Sequence, residues 1–143
     1  MDHRQDATGS TAHRVRSVLG AVVLAGLTFA TWWSWLGSDT TYQVDPVTGN
    51  RTGPYEPWQV AGCVLCLVVL AVAGTMIRLH RWVVVVVMSV VFTVAWSGAA
   101  ISADRSGMWG VGALMVAIGM VAGSYAVVSG AENARTALAR RQR

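Results

Sequence analysis

Residues 58–101 read "WQVAGCVLCLVVLAVAGTMIRLHRWVVVVVMSVVFTVAWSGAAI". Two apolar runs stand back to back, split by Arg78-Leu79-His80-Arg81, and neither has an ionisable acid, base or histidine in its interior. A bilayer core of ~30 Å is crossed by about 20 helical residues, so each run has the length of a membrane span. The valines at 83–87 favour a strand in isolation. In lipid an unpaired strand leaves its backbone N–H and C=O groups unsatisfied, and the helix wins. The short basic link between the runs predicts a tight turn joining two antiparallel neighbours.

Working outward, two further apolar runs cover residues 17–36 and 108–129. The expected spans are therefore 17–36, 58–77, 82–101 and 108–129, in an all-α, integral membrane four-helix bundle. A chain of 143 residues is room for one domain. Its 54% hydrophobic and 13% charged content is too apolar for a soluble domain of that size. The first run is longer than the 7–15 residues of a signal-peptide core and ends in "TWWSWLG" without an A-x-A pattern, so it reads as an uncleaved helix. Residues 1–16 mix charge with Ser, Thr and Gly and read as a disordered tail; residues 130–143 read as a short, basic helical tail.

Charge orients the bundle. Nine of the eleven arginines, Arg4, Arg14, Arg16, Arg78, Arg81, Arg135, Arg140, Arg141 and Arg143, fall on one side of these spans. Against Asp2, Asp6 and Glu132 they leave that side at +6. The other side carries Arg51 and Arg105 against Asp39, Asp45, Glu56 and Asp104, a balance of −2. The positive-inside rule then places both termini in the cytoplasm. Membrane topology accounts for the basic pI, and no nucleic-acid partner is implied. The absence of lysine suggests a GC-rich coding bias, hence a bacterial, multi-pass plasma-membrane protein whose first partner is the lipid bilayer.

Tryptophans mark the expected interfaces. Trp32, Trp33, Trp35, Trp58 and Trp109 sit at the outer level and Trp82 at the inner one, where indole rings prefer the headgroups. The one sizeable loop, 38–56, faces outward and reads as a short hairpin, with a turn over Asp45, Pro46, Gly49 and Asn50. Pro57 suits the first position of the second span, since its missing N–H costs nothing there.

Small and hydroxylic residues are arranged at helical spacing. Ser89, Thr93 and Ser97 form an i, i+4, i+8 stripe, and Gly112, Gly119 and Gly123 lie on span four, the last two in GxxxG spacing. Such residues let helices approach closely and bond across a contact. They are expected to pack the bundle internally, with a face presented to another protein as the alternative.

Chemistry is sparse. Cys63 and Cys66 stand three residues apart, and His3, His13 and His80 are assigned to the opposite side, so no metal site is assembled and no cofactor is implied. No intramembrane charge or paired helix interruption points to coupled transport. No G-x-S-x-G, P-loop or H-E-x-x-H motif is present. The tetrapeptide Cys63-Val64-Leu65-Cys66, near the outer start of span two, resembles the C-x-x-C of bacterial quinone-linked thiol oxidases of the DsbB type, themselves four-helix membrane proteins with both termini inside. The resemblance implies a redox pair at Cys63 and Cys66. That family's second cysteine pair has no counterpart here: the loop between spans three and four is "SADRSG", and the chain has two cysteines in all.

Three functional expectations follow. The first is a non-enzymatic accessory or scaffold subunit, or a self-assembling bundle, with a membrane protein or a second copy as partner. The second is a membrane thiol oxidoreductase using Cys63 and Cys66. The third is a passive pore or small-solute carrier lined by Ser89, Thr93 and Ser97.

Overall fold

The computed structural model describes residues 3–37, 43–44, 51–52, 55–103 and 107–141, with side chains from 14–37, 55–103 and 107–141. The helices are α1 (His3–Trp32), α2 (Pro57–Met76), α3 (Arg81–Ala103) and α4 (Trp109–Arg141), with a π turn (Trp33–Gly37) at the end of α1. All four are long and apolar enough to cross a membrane. Between the π turn and α2, β1 (Gln43–Val44) pairs antiparallel with β2 (Arg51–Thr52), Gln43 opposite Thr52 and Val44 opposite Arg51. This is the expected hairpin. Its turn residues Asp45, Pro46, Gly49 and Asn50, and Asp104 and Arg105 of the second loop, lie outside the described residues.

Two boundaries differ from expectation. The helix begins at His3, so the backbone of the segment expected to lack structure continues α1. Once a helix is nucleated, each added residue gains a hydrogen bond for one pair of dihedrals fixed, so a long span extends readily into a polar flank. Likewise the basic tail is continuous with α4, whose 33 residues reach ~50 Å at 1.5 Å per residue, beyond a ~30 Å hydrocarbon core. Arg140 and Arg141 occupy its last turn, where cations complement the negative end of the helix dipole.

Local chemistry sets the ends of α2. Pro57 opens the helix as expected, and the Glu56 N–H donates to Gln59 Oε1 at 2.8 Å, satisfying one donor at the helix start. At the other end Arg78 adopts φ +63°. Its N–H donates to the Thr75 carbonyl at 3.2 Å and the Leu79 N–H to the Gly74 carbonyl at 3.1 Å, the paired bonds of a Schellman cap. Glycine is the usual occupant of that left-handed position, because a β-carbon there crowds the following carbonyl. The cap throws Leu79 inward, where its Cδ2 would lie 3.0 Å from a β-carbon on Gly20 of α1. Arg135 of α4 completes this end by donating from Nη1 to the Thr75 carbonyl at 3.0 Å.

Packing does not follow chain order. α3 packs most extensively on α4 and next on α1; α2 packs on α4 and α1 to a similar extent. α2 and α3, though joined by the short turn, meet less than either meets α1 or α4. They are antiparallel partners that converge near their turn, where Val84 Cγ2 would lie 3.1 Å from a β-carbon on Gly74. The core runs through all four helices, with Leu24, Cys63, Leu67, Val84, Met88, Phe92 and Val128 among its buried members.

Candidate functional site

Cys63 lies six residues into α2, ~9 Å along the axis, within the buried core that also contains Leu24, Trp32, Leu36 and Leu67. Cys66, one turn on, is half-buried, and both thiols are free. Helix α2 sets these positions, and its neighbouring Gly62 receives an indole. Trp35, projected by the π turn, lies against Gly62: a β-carbon there would meet ring atoms Cη2, Cζ3 and Cζ2 at 2.5, 2.6 and 2.9 Å. Trp35 in turn meets Trp58 edge-on, with centroids 5.9 Å apart. The first turns of α2 are therefore roofed by indole.

A reactive cysteine needs an accessible, electropositive setting, and an apolar core supplies neither. Native Cys63 is expected to react with a membrane-permeant maleimide at least tenfold more slowly than Cys66, with the two equal after denaturation. Mass spectrometry of partly labelled protein reads this directly. Concerted loss of both thiols on adding a quinone, restored by a reductant, would instead identify a redox pair.

The hydroxyl stripe of α3 is enclosed. Ser89 is buried, Ser97 is half-buried, and Ser89 Oγ and Thr93 Oγ1 have no hydrogen-bond partner among the described residues; Ser129 Oγ of α4 shares that condition. Other hydroxyls bond back along their helix, Thr28 Oγ1 to the Leu24 carbonyl at 2.8 Å and Thr75 Oγ1 to the Val72 carbonyl at 2.6 Å. An unsatisfied buried hydroxyl costs about 1–3 kcal/mol. In this monomer Ser89 and Thr93 are enclosed by side chains instead of facing a water-filled path.

The three glycines of α4 separate. Gly112 faces α3, with Trp96 Cη2 2.6 Å from the place of a β-carbon. Gly119 and Gly123 have nothing within 4 Å of theirs, so the GxxxG pair faces out of the bundle. Their expected role in internal packing is corrected: at i, i+7 and i+11 the three share one side of α4, Trp96 covers that side at Gly112, and nothing among the described residues covers it at 119 and 123. The tryptophans also divide. Trp33, Trp58, Trp82 and Trp109 are exposed on the bundle surface, Trp32 is buried with its Nε1 unpartnered among the described residues, and Trp35 is half-buried on Gly62. Trp82 reaches across to Tyr125 of α4, centroids 5.8 Å apart.

Sequence reasoning missed the two indole–glycine seats, Trp35 on Gly62 and Trp96 on Gly112. The only signal is a glycine inside an apolar helix, which says that something approaches and not what. Among the described residues no group of three or more His, Cys, Asp or Glu side chains is placed to hold a metal ion. No protein-family model, curated protein or solved structure matches the chain.

Proposed function

We propose that the protein is a non-catalytic scaffold subunit of a membrane assembly, and that the outward face of α4 is where a further transmembrane helix docks, from a second copy of the chain or from another membrane protein. The observation that carries this reading is the open GxxxG pair, Gly119 and Gly123, on the helix least covered by its own bundle. Only 11% of the most apolar stretch of α4 is buried, against 28% for α2 and α3. Without a hydrophobic drive between helices in lipid, close backbone approach over small residues is what makes such a contact favourable. The enclosed cysteine and the enclosed hydroxyls lend less support to thiol exchange or to a pore. On this reading the protein resides in a bacterial plasma membrane as a multi-pass protein, with both termini and the Arg78–Arg81 turn in the cytoplasm and the β1–β2 hairpin outside, as the positive-inside rule orients it.

Purification in mild detergent, followed by mass determination and identification of retained proteins, tests the proposal. The native chain is expected as a homo-oligomer or with a stoichiometric partner. The Gly119→Leu, Gly123→Leu double variant is expected to associate at least tenfold more weakly while unfolding like the native chain, since a β-carbon at either position would meet nothing within 4 Å among the described residues. A native chain that is monomeric and alone, or a double variant that assembles normally, removes α4 as the docking face.

A further inference from the structure

The arginine-rich end of the bundle holds a groove that the scaffold reading does not use. It lies between the start of the membrane-crossing part of α1 and the α2–α3 turn, with a volume of about 810 Å³. That falls within the range of ligand pockets, ~300–1,000 Å³. One wall is apolar, formed by Leu19, Val23 and Met76; Arg16, Arg78 and His80 line it as well. Arg16 and Arg78 are exposed, and neither guanidinium has an ion-pair or hydrogen-bond partner among the described residues. Directly behind the turn a smaller cavity, about 490 Å³, shares Arg78 and His80 and adds Arg81, Arg135 and Glu132. Four arginines thus meet one carboxylate around a single turn.

Arg78 carries the argument further. It occupies a left-handed backbone position that glycine would fill with less strain, at φ +63°. A non-glycine residue in such a position directs attention to what its side chain does. Here the side chain lines the groove together with Arg16, so that two cations unpaired among the described residues, one from α1 and one from the α2–α3 turn, share a cleft with an apolar wall.

We propose that this groove binds one acidic phospholipid from the adjoining leaflet, its phosphate-bearing headgroup held by Arg16 and Arg78 and its acyl chain laid along Leu19, Val23 and Met76. Guanidinium groups match phosphate oxygens in charge and in planar, bidentate geometry. A soluble anion would leave the apolar wall uncovered, and a neutral lipid would leave the guanidiniums unpaired. An acidic phospholipid covers both.

Native mass spectrometry of the protein released from nanodiscs holding phosphatidylglycerol and phosphatidylcholine in equal amounts, with the same acyl chains, is the test. The native chain is expected to retain one phosphatidylglycerol in preference to phosphatidylcholine. Arg16→Gln and Arg78→Gly are each expected to reduce that preference roughly fivefold, which is the ~1 kcal/mol per basic residue expected near an anionic surface. Arg78→Gly is suited to this because glycine fits the left-handed cap, so the fold is kept while the charge is removed. The Arg140→Gln, Arg141→Gln variant is expected to retain the lipid normally. Equal retention of the two lipids, an equal loss in the Arg140/Arg141 variant, or displacement of the lipid by inorganic phosphate alone would each overturn the proposal.

Discussion

Gly62→Ala is expected to destabilise the folded bundle by about 1–2 kcal/mol, measured as unfolding in a titration from mild detergent into dodecyl sulfate. Two opposing effects set the sign. Alanine improves helix propensity over glycine by ~1 kcal/mol. The added β-carbon, however, would lie 2.5, 2.6 and 2.9 Å from three atoms of the Trp35 ring, none of which is a tolerable separation. The ring cannot simply swing aside, because it is half-buried and packs edge-on against Trp58 at 5.9 Å. Overpacking of this kind costs ~1–3 kcal/mol, and it outweighs the propensity gain. Gly119→Ala is the matched control: nothing lies within 4 Å of its β-carbon, so it is expected to be neutral or slightly stabilising. Adding Trp35→Leu to Gly62→Ala is expected to remove most of the glycine's cost, a non-additivity diagnostic of direct contact. Equal stability of the Gly62→Ala and Gly119→Ala variants would mean that Trp35 does not sit on Gly62.

Gly112→Leu is expected to cost more, ~3 kcal/mol at the upper end of the overpacking range, because it strikes the most extensive helix contact in the bundle, α3 against α4. At Gly112 a β-carbon alone would meet Trp96 Cη2 at 2.6 Å, with Cζ3 and Cζ2 at 3.3 and 3.6 Å. A small tilt of the ring accommodates alanine, so Gly112→Ala is expected to cost less than Gly62→Ala. Leucine extends past any such tilt and must pry the two helices apart near Trp109, the start of α4. The same unfolding titration ranks the series, and Trp96→Ala is expected to rescue Gly112→Leu in part. A Gly112→Leu variant as stable as the native chain would place α3 and α4 differently from the arrangement described here.

Much of the fold was legible without coordinates, and for local reasons. Four apolar runs of span length make four helices, because a helix satisfies every backbone group within its own segment in hydrocarbon. Pro57 opens α2 because its fixed φ and missing N–H suit a first turn, and β1 pairs with β2 across turn-forming residues. The limits of α1 and α4 were less legible, since a helix outruns its apolar segment whenever the flank tolerates helical dihedrals.

The candidate sites were legible only as residue types. Cys63 and Cys66 show in the sequence as a pair, but the burial that separates them comes from the core around α2, whose residues are distant in the chain. Gly112, Gly119 and Gly123 look equivalent on one helix. They share one side of it, and which of them meets an indole depends on where along that side the Trp96 ring of α3 reaches, which no local signal encodes. Arg16 and Arg78 are 62 positions apart, and only the docking of α1 beside the α2–α3 turn brings them to one groove.

By itself the sequence determined the number of helices, their lengths to within their flanks, the proline start of α2 and the sidedness of charge, all properties that nearest neighbours and the solvent decide. The tertiary structure alone decided which helices touch, because in an apolar medium the choice among apolar faces rests on close fit. A bare glycine gains meaning only from the tryptophan that reaches it.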